Sequence, residues 1–201
     1  MSHVHAPSAR RADVVRSTGV STGRLAIWWF LGSEIVIFGG LIVCYVLFRL
    51  RHPEWSEQAR HTLSAAGAFN TLVLLTSSLF MVLAHAAVEH GDLKRAARHM
   101  LGTIALGGVF LGVKAFEYGR EVAGGHTPVS GLFWSFYFAL TGLHALHVTG
   151  GLFAILAVRQ MVARRSDTHR VELVGIYWHF VDVVWIFLFP MLYLTSRTGA
   201  P

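Results

Sequence analysis

Five stretches of this chain are long and apolar enough to cross a lipid bilayer, and nothing else in the sequence restricts its fold as strongly. They run from about 25 to 48, 66 to 88, 98 to 119, 131 to 160 and 172 to 195. A hydrocarbon core of roughly 30 Å is spanned by about 20 helical residues. Backbone amides there find no water, so each run must satisfy its own hydrogen bonds as an α-helix. The expected fold is all-α, a polytopic bundle of five transmembrane helices over residues 25–195. A polar, basic N-terminal tail (1–24) precedes it and a short C-terminal tail (196–201) follows. The N-terminal tail has no apolar run, so it reads as a basic tail and not as a cleaved signal peptide.

Charge supports the membrane reading. Charged residues make up 14% of the chain, against about 25% in ordinary soluble domains. The single cysteine, Cys44, excludes an intrachain disulfide and a Cys-based metal site. The formal net charge of +6 would suit nucleic acid if it formed one patch, but the basic residues are sorted by loop. On the N-terminal side lie eleven: Arg10, Arg11, Arg16, Arg24, Lys94, Arg95, Arg98, Arg159, Arg164, Arg165 and Arg170. On the opposite side lie five: Arg49, Arg51, Arg60, Arg120 and Arg197. This asymmetry puts the N-terminus in the cytoplasm and the C-terminus outside. The excess charge is then a topology signal and a contact for anionic lipid, and no nucleic-acid partner is expected.

Ionisable groups inside hydrocarbon are costly, about 3 kcal/mol for Asp at a helix centre on insertion scales. Four sites carry them. Glu34 lies in the first span, Lys114 and Glu117 in the third, His144 and His147 in the fourth, His179 and Asp182 in the fifth. Residues at i and i+3 share a helix face and can touch. A metal reading fails on pattern, because a carboxylate di-iron site wants Glu-x-x-His on paired helices and haem wants facing axial ligands. No metal ligand and no catalytic residue is therefore expected. The expectation is that His144, His147, His179, Asp182, Lys114 and Glu117 are buried structural polar groups: interhelical hydrogen bonds and Asp–His pairing satisfy the histidines, His179 and Asp182 form a pair that ties the last helix to its neighbours, and Lys114 and Glu117 neutralise each other near the interface. Glu34 has two open readings: a neutral acid bonded within a helix pair, or a group that exchanges protons with a cavity. Glycine pairs in "FGG" (38–40), "LGG" (106–108) and "TGG" (149–151) are expected at close helix contacts. Trp28, Trp29, Trp134, Tyr137, Tyr177 and Trp178 are expected in interfacial aromatic belts.

Taken together, the motifs resemble one family. "SEIVIFGG" (33–40), "NTLVLLTSS" (70–78), "FLGVKAFEY" (110–118), "TGLHALHVTGG" (141–151) and "YWHFVDVVWIFLF" (177–189) are similar, in order, to segments of the third subunit of haem–copper terminal oxidases, the cytochrome c and quinol oxidases. The last two are the most specific. The chain looks like the five-helix bacterial form. The resemblance implies a non-redox subunit with no haem or copper of its own, packed on the catalytic subunit I that holds them, with subunit II in the same complex and a respiratory supercomplex as a further setting. It implies a V-shaped cleft, two helices against three, that holds structural phospholipid. Glu34 would lie in that cleft, and Arg159 and Arg164 would meet lipid headgroups. It implies support of proton uptake, oxygen access and turnover stability in a bacterial cytoplasmic membrane. Lys114 departs from the neutral or acidic residue of several relatives. The alternatives are an accessory subunit of a nitric oxide reductase and, from a different class, a small membrane transporter, which would want broken helices and a repeat.

Overall fold

The computed structural model describes residues 22–59, 62–165 and 168–194. The expected tails lie outside these residues, except for Thr22 to Arg24, which open the first helix. All regular structure among the described residues is helical. The helices are α1 (Thr22–Arg51), α2 (Trp55–Ala59), α3 (Ser64–Glu89), α4 (Leu93–Ala123), α5 (Leu132–Ala163) and α6 (Arg170–Phe189). A π-helical turn, Pro190–Leu194, follows directly on α6. Five of these helices are long and apolar enough to span a membrane, and α2 is a short connector. The spans expected from the sequence agree with α1, α3, α4, α5 and α6 to within a few residues.

Helices α3, α4, α5 and α6 close into a four-helix bundle, with α3 and α4 in the most extensive contact. Helix α1 lies outside this bundle against α5 and α6. The division is thus one helix against four, where the resemblance implies two against three. Short connections explain it: three residues join α3 to α4, which forces them to be antiparallel neighbours. The α3–α4 turn is fixed by Asp92, whose carboxylate accepts the Arg95 amide at 2.9 Å and caps α4.

The bundle core is built on aromatic rings. Trp178 is fully buried and donates its indole N–H to Ser77 at 3.1 Å. Two glycines make room for it: a Cβ on Gly107 would stand 2.6 Å from Leu152 and 3.0 Å from the Trp178 ring, and one on Gly151 would stand 3.0 Å from the same ring. The "LGG" and "TGG" motifs therefore do mark close helix approach. "FGG" does not. Added Cβ atoms at Gly39 and Gly40 would meet nothing within 4 Å, because α1 turns that face away from its few neighbours. The aromatic-belt expectation also needs correction. Trp134, Tyr137 and Trp178 are buried, whereas Trp28 and Trp29 are exposed. A ring with one polar atom serves an interior as well as an interface when a partner is at hand.

At the other end, α2 brings Trp55 onto Tyr45 and Phe133, with ring centroids 5.5 and 5.8 Å apart. Pro190 lacks the N–H that would continue the α-helical ladder, and the chain widens into the π turn. That change of register carries Tyr193 into the core, where it is 1% exposed.

Gly107→Val is expected to destabilise the bundle by about 1–3 kcal/mol through overpacking against Leu152 and Trp178. Gly108→Ala, where nothing stands within 4 Å of an added Cβ, is expected to leave the thermal midpoint in detergent unchanged. A Gly107→Val midpoint equal to wild type would contradict this packing.

Candidate functional site: polar residues inside the bundle

Three polar groups occupy different depths of the bundle. The first lies near the end of α4. Lys114 Nζ stands 3.0 Å from Glu117 Oε2, 2.8 Å from the Tyr193 hydroxyl and 3.3 Å from the Tyr137 hydroxyl. The Tyr137 hydroxyl in turn donates to Glu117 Oε1 at 2.8 Å. Rings of Tyr118, Tyr137, Trp185 and Tyr193 surround the ammonium at 5.0 to 5.6 Å, within cation–π range. The Lys114 and Glu117 side chains are 2% and 1% exposed. They do pair, as the spacing suggests, and the pair is buried among the helices near the end of α4. Neither tyrosine is found from the sequence: Tyr137 reads there as a belt residue, and the place of Tyr193 depends on the π turn after Pro190.

The second group joins α1 to α5. Glu34 Oε2 lies 2.9 Å from His147 Nε2, with side chains 10% and 12% exposed. His147 Nδ1 lies 2.8 Å from the carbonyl oxygen of Leu143. A carbonyl only accepts, so Nδ1 carries a hydrogen. Nε2 is then either bare, and bonded by a carboxylic acid, or protonated, and facing a carboxylate. Either way one proton is shared between Glu34 and His147. The Tyr177 hydroxyl donates to the His147 carbonyl at 2.9 Å and ties α6 to the pair. Phe38 covers the imidazole edge-on at 5.2 Å. No spacing argument finds this pair, because its members are 113 residues apart.

The third group is incompletely bonded. His144 is fully buried, its ring set between Phe110 and Trp185 at 5.5 and 5.2 Å, and neither nitrogen has a hydrogen-bond partner. The structure therefore does not join it to His147, because the two rings leave α5 toward different neighbours. His179 and Asp182 are not joined either. His179 Nδ1 contacts the Ser78 hydroxyl at 2.5 Å. The Asp182 oxygens are buried with no hydrogen bond of good geometry, Ser78 being the polar group beside them. Both side chains face α3, which supplies serine and threonine at this depth. Trp178 bonds Ser77 and Trp185 bonds Thr71, each at 3.1 Å.

Among the described residues, no three His, Cys, Asp or Glu side chains gather as a metal site would require. Between α1 and the α5–α6 pair lies an apolar cleft of about 420 Å³, lined by Ile27, Phe30, Ala154, Val158, Leu173 and Tyr177 among others. Tyr177 thus borders the cleft with its ring and holds the His147 backbone with its hydroxyl. Arg159 donates Nε to the Ala97 carbonyl at 3.1 Å, and Arg164 is exposed at the end of α5.

This fold and its internal polar groups define a multi-pass helical membrane protein. The model of the family described as cytochrome c oxidase subunit III matches residues 16–197. The chain is 34% identical over 178 residues to cytochrome c oxidase subunit 3 of Thermostichus vulcanus, covering 86% of this chain and 87% of that protein. It is 33% identical over 190 residues to quinol oxidase subunit 3 of Bacillus subtilis (strain 168), covering 89% and 91%. It is also 30% identical over 185 residues to a haem–copper oxidase subunit I+III of Aeropyrum pernix, covering 85% of this chain and 22% of that longer protein. The chain belongs to the cytochrome c oxidase subunit III family, and so is a subunit of a terminal oxidase complex.

Lys114→Met is expected to destabilise the chain by about 3–5 kcal/mol, because it leaves the Glu117 charge buried without its counter-charge. The double change Lys114→Met with Glu117→Leu removes both charges and is expected to recover most of the loss. Chemical unfolding in mild detergent reads both. A single variant as stable as wild type would refute a charged pair here.

Proposed function

We propose that this chain is the non-redox subunit III of a proton-pumping haem–copper terminal oxidase. It packs on subunit I, assembles with subunit II, and supports proton uptake, oxygen access and stability in turnover. Haem and copper belong to the catalytic subunit. The chain sits in a bacterial cytoplasmic membrane with its N-terminus inside and its C-terminus outside, as the basic residues of the loops support. Phospholipid fills the apolar cleft between α1 and the α5–α6 pair, with Arg159 and Arg164 on the side of its headgroup. The name of the Aeropyrum pernix relative supports a neighbour of the subunit I kind, since one polypeptide there carries both parts.

The observation that carries this reading is the Glu34–His147 pair. It sits beside the cleft, keeps a slight exposure, and sets Glu34 Oε2 2.9 Å from His147 Nε2, a distance over which a proton can pass. A merely structural clasp would work equally well with an amide. Glu34→Gln keeps a donor toward Nε2 and removes the exchangeable carboxyl proton. In the assembled complex this variant is expected to leave the haem spectrum intact while slowing proton uptake and shortening the active life during turnover. Wild-type uptake and lifetime in Glu34→Gln would remove the proton role. Failure of any haem-containing large subunit to co-purify in gentle detergent would remove the oxidase assignment itself.

A further inference from the structure

We propose that the chain docks on subunit I through the outward seam of α3 and α6, where His179 meets a hydrogen-bonding side chain on a transmembrane helix of that subunit. The proposal deepens the packing on subunit I put forward above and rests on it. His179 lies midway along α6 and Ser78 midway along α3. The Ser78 hydroxyl is 2.5 Å from His179 Nδ1. The other ring nitrogen, Nε2, has no partner among the described residues, and the helices do not enclose it. A neutral imidazole donates from one nitrogen and accepts at the other, so Nε2 presents either an N–H or a lone pair to whatever lies outside. Asp182 is enclosed behind the same serine and is not the group that a partner meets.

Lipid tails answer neither an N–H nor a lone pair. Polar side chains within membrane helices accordingly face a bundle interior or a watery cavity. An imidazole on the outside of one subunit at mid-span is accounted for when that side is the inside of a larger bundle. Other outward positions show the contrast. In its span α1 presents Ile35, Val36 and Val43, all apolar. Thr76, outward on α3, gives its hydroxyl to the Leu72 carbonyl of its own helix at 2.8 Å. His179 Nε2 has no such bond within the chain. The seam also has the form of a seat for a helix. Leu75 and Val82 stand one turn to either side of Ser78 on α3, and Val183 and Ile186 follow His179 by one and two turns on α6. These four apolar side chains are between 44% and 50% exposed. Spacings of three and four place each set in one stripe, and a third helix seats its side chains between two such stripes. The cleft beside α1 uses Leu173, Val174 and Tyr177 of α6 instead, so docking on the seam leaves the cleft in place.

Photocrosslinking of the assembled complex in native membranes tests it, with p-benzoylphenylalanine placed at the Val183 position on the seam or at the Val36 position on α1, and the products identified by mass spectrometry. The expected adduct from the Val183 position is to a transmembrane segment of subunit I, with none from the Val36 position. His179→Leu removes the bond and should weaken retention of subunit I in detergent about three- to tenfold, the scale of one interhelical hydrogen bond in a membrane. His179→Gln keeps a hydrogen-bonding group and should recover part of that loss. Adducts from the Val183 position to lipid alone or to a second copy of this chain would overturn the seam as the dock, as would adducts to subunit I from the Val36 position only; the packing on subunit I would stand. Wild-type retention in His179→Leu would overturn the bond. Absence of any haem-containing large subunit beside the wild-type chain would instead remove the oxidase reading, and the proposal with it.

Discussion

A charge buried in hydrocarbon must bring its own counter-charge and hydrogen bonds, and this requirement organises the half of the bundle at the C-terminal end of α4. Lys114 cannot reach water, so Glu117, Tyr137 and Tyr193 supply every contact that water would have made. The consequence is mechanical. Glu117 belongs to α4, Tyr137 to α5 and Tyr193 to the π turn, so one ammonium fixes three elements at one depth. The same rule operates with weaker bonds elsewhere in the bundle. Ser77 and Thr103 exchange hydroxyl-to-carbonyl bonds between α3 and α4 at 3.3 Å each, and Tyr118 meets Thr141 at 2.6 Å between α4 and α5. Lipid tails are as apolar as leucine, so helix association in a membrane rests on such bonds and on close packing.

Helix α1 shows the rule from the other side. It contributes little to the packed core and exposes Trp29, Val36 and Leu50 broadly. What holds it are polar contacts at three levels. Arg24 pairs with Glu172 at one end, Glu34 with His147 near the middle, and the Tyr45 hydroxyl donates to the Met191 carbonyl at 3.2 Å toward the other end. Glu34 and Tyr45 are 11 residues apart, about three helical turns, so they lie on nearly the same face. Arg49, one turn further, donates to the Tyr45 hydroxyl at 2.8 Å. A helix fastened at intervals leaves space between its fastenings, and the apolar cleft lies between the first two.

The fold was legible because length and apolarity decide it. Once water is absent, a run of 20 apolar residues has few alternatives to a helix. From α3 onward the connections make neighbours of consecutive helices, whereas α1 packs on α5 and α6. What stayed hidden depended on three dimensions. Glu34 and His147 are bonded through the fold alone. The His-x-x-His and His-x-x-Asp spacings suggested contacts that do not form, because an i, i+3 pair shares a face only loosely and each ring turns to a different helix. Tyr137 and Trp178 were placed at interfaces since aromatic residues with a polar atom suit both settings. Only Ser77 and Glu117, on neighbouring helices, decide for the interior. Pro190 was visible in the sequence, but the widened turn after it, and with it the position of Tyr193, was not.

The two acid-containing clusters differ in the source of their neutrality. In Lys114–Glu117 a fixed positive charge cancels a fixed negative one, and any transfer of a proton between them would leave two groups still tied by the same tyrosines. Its depth and near-zero exposure suit a permanent fastening. On the proposed reading, Glu34–His147 is kept neutral by one proton that can rest on either atom, because Nδ1 is already committed to the Leu143 carbonyl. Moving that proton from oxygen to nitrogen changes the local charge distribution without changing the net charge, which avoids most of the penalty of an isolated ion in hydrocarbon. The pair is slightly exposed, and Tyr177 links it to the cleft wall. On the proposed reading, an exchangeable proton and an internal fastening are thus assigned to different carboxyls by burial alone, with Glu117 sealed in the core and Glu34 left at its margin.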